Sequence, residues 1–202
     1  GPGTLITIGG TSPDISAGIA IAAPLTIDGC EVTAYTEATS GSTICGIWDW
    51  LYYGITIKNS GTLIAYAPAP TGVGIQANTG DTWITIDATS TLITKGGSRA
   101  GDHHVTPSSL QKMTGSVNYD ESGAVQITAN DDSYKYFKVQ PAPPSITTQP
   151  SNQLVAKGQT ATFTLSATDG QFYQWQVSWD SGSSWGNVVD GTGGTSASYT
   201  TR

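Results

Sequence analysis

The chain repeats one β-rich tetrapeptide three times, as Leu25-Thr26-Ile27-Asp28, Ile55-Thr56-Ile57-Lys58 and Ile84-Thr85-Ile86-Asp87. The copies begin about thirty residues apart, and a second β-rich run follows each copy. These runs are Val32-Thr33-Ala34-Tyr35, Leu63-Ile64-Ala65-Tyr66 and Leu92-Ile93-Thr94-Lys95. A Gly-Ile pair also recurs every 28 residues, as Gly18-Ile19, Gly46-Ile47 and Gly74-Ile75. A fixed period of this size, built from short strands and turns, is typical of a solenoid.

The repeat predicts which side chains stack on one another. In a solenoid each coil adds one strand to each of several parallel sheets, so equivalent residues of successive coils lie above one another. Side chains of a strand alternate between its faces, which predicts an inward aliphatic column and an outward threonine ladder. The column consists of Ile27, Ile57 and Ile86, and the ladder of Thr26, Thr56 and Thr85. The next residues, Asp28, Lys58 and Asp87, alternate in charge, which is favourable between adjacent strands.

The pattern extends on both sides of the three tetrapeptides. An earlier and shorter coil is predicted at 5–10, leading to Gly18-Ile19. Beyond Lys95 the repeat loosens, although the segments 115–119, 124–128 and 134–139 still read as strands. We interpret them as the last coils and a cap over the open end of the apolar column. An uncovered end would expose strand edges that promote aggregation.

Composition limits the class of protein. The 202 residues include only 8 Lys and Arg against 15 Asp and Glu, a formal net charge of −7. Nucleic-acid phosphates need clustered basic side chains, so we exclude a nucleic-acid partner. No apolar run approaches the roughly 18 residues of a membrane span, so no membrane insertion is expected within this segment. Helical periodicity is missing as well, which predicts an all-β protein. No cofactor is predicted.

The first residues and the two cysteines do not follow the repeat. Gly1-Pro2-Gly3 is typical of the scar left by a cleaved expression tag, and residues 1–4 are excluded from fold prediction. Cys30 and Cys45 occupy different positions within the repeat, which favours buried free thiols and leaves pairing open. A free thiol in a core behaves as a small apolar side chain.

The repeat resembles the right-handed parallel β-helix of bacterial surface proteins and of polysaccharide lyases and hydrolases, the pectate-lyase-like solenoid. The resemblance rests on the form of the repeat and covers about residues 5–138. It implies a short β-solenoid domain with a cap over that range. It identifies an architecture and leaves the activity open.

A second domain is predicted after Pro141-Ala142-Pro143-Pro144, because consecutive prolines favour an extended spacer. We place a linker at 139–145. The remainder, 146–202, resembles a bacterial immunoglobulin-like module in four segments. These segments are Ile146-Thr147-Thr148-Gln149-Pro150, Gly158-Gln159-Thr160-Ala161-Thr162-Phe163, Tyr173-Gln174-Trp175-Gln176 and Ser196-Ala197-Ser198-Tyr199.

This second resemblance implies specific packing. Trp175 is expected between the two sheets of a β-sandwich, facing Phe163, Leu165 and Val177. A hairpin turn is expected at 180–185. Such modules continue with two further strands after the segment that ends at Tyr199, and this chain stops at Arg202. We therefore expect an incomplete, truncated immunoglobulin-like sandwich.

The most conspicuous candidate site is the aromatic run at 48–53. On a strand Trp48, Trp50 and Tyr52 share one face, while Asp49 lies on the other. Trp83 precedes the next coil, with Asp81 close to it, so these two can join the cluster. Flat aromatic faces beside carboxylates suit the C–H groups and hydroxyls of a sugar. The alternative is that the aromatics pack over the solenoid flank or against the second domain.

Two further groups carry side chains that can bind metals or change charge with pH. In Asp102-His103-His104 the imidazoles would point to opposite faces of a strand, so we expect surface residues whose charge depends on pH. Asp131-Asp132, near Asp120-Glu121, has oxygen ligands for calcium without the fixed spacing of a calcium loop, which favours a solvated acidic turn. No metal site is predicted.

Catalysis by paired carboxylates is the enzymatic alternative. Asp28 and Asp87 lie two coils apart, roughly 10 Å at the usual strand spacing, which is beyond the separation of inverting glycosidases. Lys58 between them would also keep both carboxylates ionised, which is wrong for a general acid. No catalytic residue is therefore assigned.

These observations predict an extracellular or cell-surface bacterial protein. The first hypothesis is a non-catalytic adhesin or carbohydrate-binding module presented on an immunoglobulin-like stalk. Its partner would be a host or cell-wall glycan, or another surface protein. The alternatives are a structural spacer without a ligand and a fragment of a β-helix polysaccharide lyase or hydrolase.

Overall fold

The computed structural model describes residues 3–51, 53–78, 80, 82–101, 103–107, 111–128, 133–170 and 172–202. The described chain is all-β and divides into two compact units, Gly1–Pro141 and Ala142–Arg202. Unit 1 is a β-solenoid, which confirms the architecture predicted from the repeat. Within the described residues no helix is long and apolar enough to cross a membrane.

Unit 1 winds through three-stranded coils. The first and second coils contain β1 (Thr4–Gly9), β2 (Ile15–Ile21), β3 (Leu25–Asp28), β4 (Glu31–Thr36), β5 (Thr43–Asp49) and β6 (Ile55–Lys58). The third and fourth contain β7 (Thr62–Ala67), β8 (Val73–Ala77), β9 (Thr82–Ile86), β10 (Thr91–Gly96), β11 (Arg99–Gly101) and β12 (His103–Thr106). Parallel pairing joins β1, β4, β7 and β10 in sheet A, β2, β5, β8 and β11 in sheet B, and β3, β6, β9 and β12 in sheet C. Three full turns separate β1 from β10.

The predicted aliphatic column is confirmed. Ile27 pairs in register with Ile57, and Ile57 with Ile86, across β3, β6 and β9. Their side chains are 1%, 0% and 5% exposed and belong to the main core. Each in-register column removes apolar surface from water at every coil, and this burial is the main driving force for folding.

The recurring Gly-Ile pair has a steric cause. A β-carbon on Gly46 would overlap the backbone nitrogen of Tyr66 and would lie 2.9 Å from the carbonyl oxygen of Ala34. Gly18 and Gly74 meet backbone atoms of sheet A in the same way. Sheets A and B therefore touch backbone to backbone along this ladder, and only glycine allows so close an approach. The isoleucine that follows each glycine faces the core, where Ile47 and Ile75 are fully buried.

An antiparallel cap closes the solenoid after the fourth coil. It consists of β13 (Gln111–Ser116), β14 (Val125–Ile127) and β15 (Tyr136–Pro141), which extend sheet A in the order β10-β15-β13-β14. Phe137 and Val139 of β15 are fully buried in the main core. Strand β15 includes residues 139–141 of the predicted linker.

Unit 2 contains three two-stranded antiparallel sheets in its described residues. The strands are β16 (Ser145–Thr148), β17 (Thr162–Thr164), β18 (Ser166–Thr168), β19 (Gln176–Val177), β20 (Gly186–Asn187) and β21 (Ser198–Thr200). Trp175 lies 6.4 Å from the ring of Phe163 and 6.0 Å from that of Tyr199, and its indole N–H donates to Ser196. The β19–β20 hairpin confirms the predicted turn.

Candidate functional site

The structure separates the members of the predicted aromatic cluster. Trp48, on β5, is only 6% exposed and packs in a small cluster with Cys45 and Val73. Its indole N–H is buried and has no hydrogen-bond partner among the described residues. Trp48 therefore serves packing, as the structural alternative predicted, and it offers no ring face to a ligand.

Asp49 is also unavailable to a ligand. Its side chain is fully buried, and one carboxylate oxygen accepts a hydrogen bond of 3.1 Å from the backbone N–H of Tyr53. This bond ties the end of β5 to the segment that leads into β6. The second carboxylate oxygen finds no partner within the described part of the chain. Asp49 thus has a structural position, and its proposed contact with sugar hydroxyls is not supported.

Trp50 remains accessible. It is 49% exposed, and its ring lies edge-on to Trp48 at 6.4 Å between centroids. The two rings are therefore neighbours, although Trp50 follows the last residue of β5. Leu51 is 56% exposed beside it. Tyr52 and Asp81, the other predicted members of this cluster, lie outside the described residues.

Trp83 is the most exposed tryptophan of unit 1, with 61% of its surface accessible. It lies on the outer face of sheet C and pairs in register with His104 of β12, whose ring is 4.3 Å away at a 49° tilt. On the other side its backbone lies next to Gly54, which precedes β6, since a β-carbon built on Gly54 would lie 3.1 Å from the carbonyl oxygen of Trp83. Gly54 brings no side chain to the indole, and among the described residues His104 is the ring in contact with it.

A ladder of threonines runs beside Trp83 along the same face. The predicted ladder is confirmed by register and extends by one residue, since Thr85 pairs with Thr106 of the fourth coil. The members are Thr26, Thr56, Thr85 and Thr106, of which Thr56 is half-buried and the others are exposed. Adjacent strands lie about 4.8 Å apart, so the hydroxyls repeat at that interval along the solenoid axis.

Strands β11 and β12 of the fourth coil were missed at the level of sequence, and with them the place of His104 and Thr106 on this face. Each tetrapeptide begins with an apolar residue and a threonine, and this pair recurs as Val105-Thr106. That recurrence was the signal that could have revealed the strand. Val105 follows Ile84 by 21 positions, whereas Ile84 follows Ile55 by 29. Because this coil is shorter than the one before it, the fixed spacing did not reveal the repeat there.

Asp28 and Asp87, beside the threonine ladder, are kept ionised by neighbouring residues. Lys58 forms a 3.0 Å ion pair with Asp28, as the charge alternation predicted. A hydrogen bond from Asn59, followed by those from Lys58, lowers the pKa of Asp28. Burial acts to raise the pKa of Asp87, but hydrogen bonds from Ser90, Asn59 and Thr89 outweigh it and lower that pKa. Neither carboxyl suits a general acid, which needs a raised pKa.

The prediction that both histidines lie at the surface is wrong for His103. Its ring is buried against Phe137 of the cap, 4.8 Å between centroids, while His104 is exposed. Strand alternation sends the two neighbours to opposite faces, and the inner face here is the core. Burial lowers the pKa of His103 to about 3, so its imidazole is neutral in the fold. Asp102 lies outside the described residues.

Acid is therefore expected to destabilise unit 1 through His103. The unfolded chain binds a proton below the ordinary histidine pKa of about 6.5, whereas the folded ring stays neutral to about 3. The free energy of unfolding should fall by roughly 2 kcal/mol between pH 6.5 and 5, at about 1.36 kcal/mol per pH unit. Asp28 and Asp87 have lowered pKa values and stay ionised in this window.

Urea unfolding followed by circular dichroism at pH 6.5, 6 and 5 measures this effect. His103→Leu should remove the pH dependence, and His104→Gln, the exposed neighbour, should retain it. An unchanged slope in His103→Leu would contradict the assignment.

The described residues hold no group of three side chains suited to a metal ion. Cys30 and Cys45 are free, and Asp131 and Asp132 lie outside the described residues. Comparison with protein-family models, with curated proteins and with solved structures finds no match to this chain. The chemistry of the site therefore rests on its own geometry.

Proposed function

We propose that this chain is a non-catalytic glycan-binding or adhesion module of a bacterial protein that is secreted or held at the cell surface. The solenoid, taken to be right-handed and pectate-lyase-like, presents the binding face. Unit 2 acts as a stalk of the immunoglobulin-like class. The observation that carries the proposal is an exposed tryptophan, Trp83, beside a regular ladder of hydroxyl groups on a sheet face.

The chemistry of this face supports a sugar ligand. An indole offers a flat apolar surface for C–H groups, and a tryptophan at a wet surface is typical of interfaces. Threonine hydroxyls both donate and accept hydrogen bonds, so they match the hydroxyls of a carbohydrate. Trp50 adds a second exposed ring in the second coil. Trp48 and Asp49 do not enter the proposal because both are buried.

The enzymatic alternative has less support. Asp28 and Asp87, the carboxylates considered for catalysis, have lowered pKa values and are engaged by neighbouring side chains. The spacer alternative makes a different prediction, namely that no glycan binds. Incubation with polysaccharides, assayed for new reducing ends and unsaturated uronates, tests the enzymatic alternative directly.

A glycan array followed by titration calorimetry tests the proposal. Trp83→Ala is expected to weaken binding about tenfold, corresponding to about 1.4 kcal/mol for the loss of one stacking ring. The matched control is Trp179→Ala, which removes a tryptophan of unit 2 that is 91% exposed. Binding that survives Trp83→Ala unchanged would remove this face as the site, and absence of binding on the array would favour the spacer.

A further inference from the structure

The two strands beside Trp83 present different residues to it. His104 lies against one side of the indole, at 4.3 Å between ring centroids. Toward the first coil the backbone of Trp83 lies next to Gly54, which brings no side chain. Thr56 lies two residues beyond Gly54, on the outer face of β6. A flat ring placed over Gly54 would therefore contact the indole and reach the hydroxyl of Thr56.

The hydroxyl ladder continues from this opening to the end of sheet C. Thr56 pairs in register with Thr26 of the first coil. The ladder thus supplies one hydroxyl per strand, about every 4.8 Å, across a row of parallel strands. Such a periodic row suits a polymer that also repeats its hydroxyl groups and lies flat. A β-linked pyranose chain has this extended form, whereas α-linked chains tend to coil away from a plane.

The charges beside the ladder and the net charge of the chain favour some classes of polysaccharide over others. The ladder is flanked by the Asp28–Lys58 ion pair, whose two charges cancel, and by the anionic Asp87. The whole chain carries a net charge of −7, which repels a polyanionic glycan at long range. Polymers rich in uronate or sulfate are thereby disfavoured, and a neutral polymer encounters no such penalty.

On the basis of the proposed function, we infer that the outer face of sheet C binds a linear, uncharged, β-linked polysaccharide. The chain crosses the strands along the solenoid axis and runs from Trp83 over Gly54 towards Thr26. The indole holds one sugar ring, and Thr56 and Thr26 bond to the following units. His104 blocks the opposite direction, so Thr106 takes no part.

Chain length and threonine variants together test this inference. Cello-, chito- and manno-oligosaccharides of two and six units serve as probes for titration calorimetry. In at least one series the six-unit probe should bind the unaltered protein more tightly than the two-unit probe. Thr26→Val keeps the β-branched shape and removes the hydroxyl, so it should weaken the six-unit probe about threefold to tenfold and leave the two-unit probe unchanged.

Thr106→Val is the matched control, since it makes the same change on the far side of His104 and should alter neither affinity. The inference is overturned if Thr26→Val leaves the six-unit probe unaffected, or if Thr106→Val weakens it equally. If glycan binding still depends on Trp83 in either case, the proposed function is retained. If neither these probes nor the glycan array shows binding, the inference and the proposed function fail together.

Discussion

Gly46→Ala is expected to destabilise unit 1 by about 3 kcal/mol or more, at the upper end of the cost of overpacking a core. The added β-carbon overlaps the backbone nitrogen of Tyr66 and approaches the carbonyl oxygens of Gly74 and Ala34 to 2.7 and 2.9 Å. All three atoms belong to strand backbones that cannot yield as a flexible side chain would. Relief requires sheets A and B to move apart, which loosens the packing of Ile47 beside the ladder.

Gly10→Ala is the matched control in the same unit. No heavy atom lies within 4 Å of a β-carbon built on Gly10. Alanine there restricts the unfolded chain without cost to the fold, so stability should stay level or rise by up to about 1 kcal/mol. Denaturant unfolding of both variants measures the two changes in the free energy of unfolding. Similar midpoints for Gly46→Ala and the unaltered protein would contradict the backbone contact between the sheets.

Ile57→Ala is expected to cost about 2 to 5 kcal/mol, because it leaves a cavity in the middle of the aliphatic column. Ile57 is fully buried and lies between Ile27 and Ile86 in register. Neighbours above and below belong to separate coils, so the cavity cannot close without disturbing two strand pairs. The effect should appear as a lower denaturation midpoint.

Ile6→Ala makes the same chemical change on the outer face of β1. Ile6 is 60% exposed, so its truncation should alter the free energy of unfolding by only about 0.5 kcal/mol. The difference between the two variants isolates the contribution of the column. Equal effects at both positions would mean that the columns do not carry the stability of the solenoid.

Periodicity was enough to predict the columns and the ladder. The tetrapeptides placed Ile57 inside and Thr56 outside, because register and alternation together leave one arrangement for a repeating strand. The Gly-Ile pair was visible as a pattern, but its cause was not. That cause is the approach of sheet A to Gly46, a contact between strands of different sheets that spacing alone does not encode.

The site was harder to predict because burial depends on neighbours in space. The ring of Trp50 lies edge-on to Trp48, yet Trp48 is covered by a local cluster and Trp50 is exposed. His103 was expected at the surface because a polar residue usually lies there. The core in contact with it is completed by Phe137, which is distant in sequence and arrives with the cap.

The stacking of equivalent positions also bears on how such a chain can change length. Each coil meets its neighbours through the same columns, glycines and threonines, so the contact surface above a coil is equivalent to the one below it. Internal duplication of a segment such as 55–83 would therefore insert a coil without creating a foreign interface. A chain lengthened in this way would gain one more outward threonine, and the length of its sheet face would grow with the number of coils.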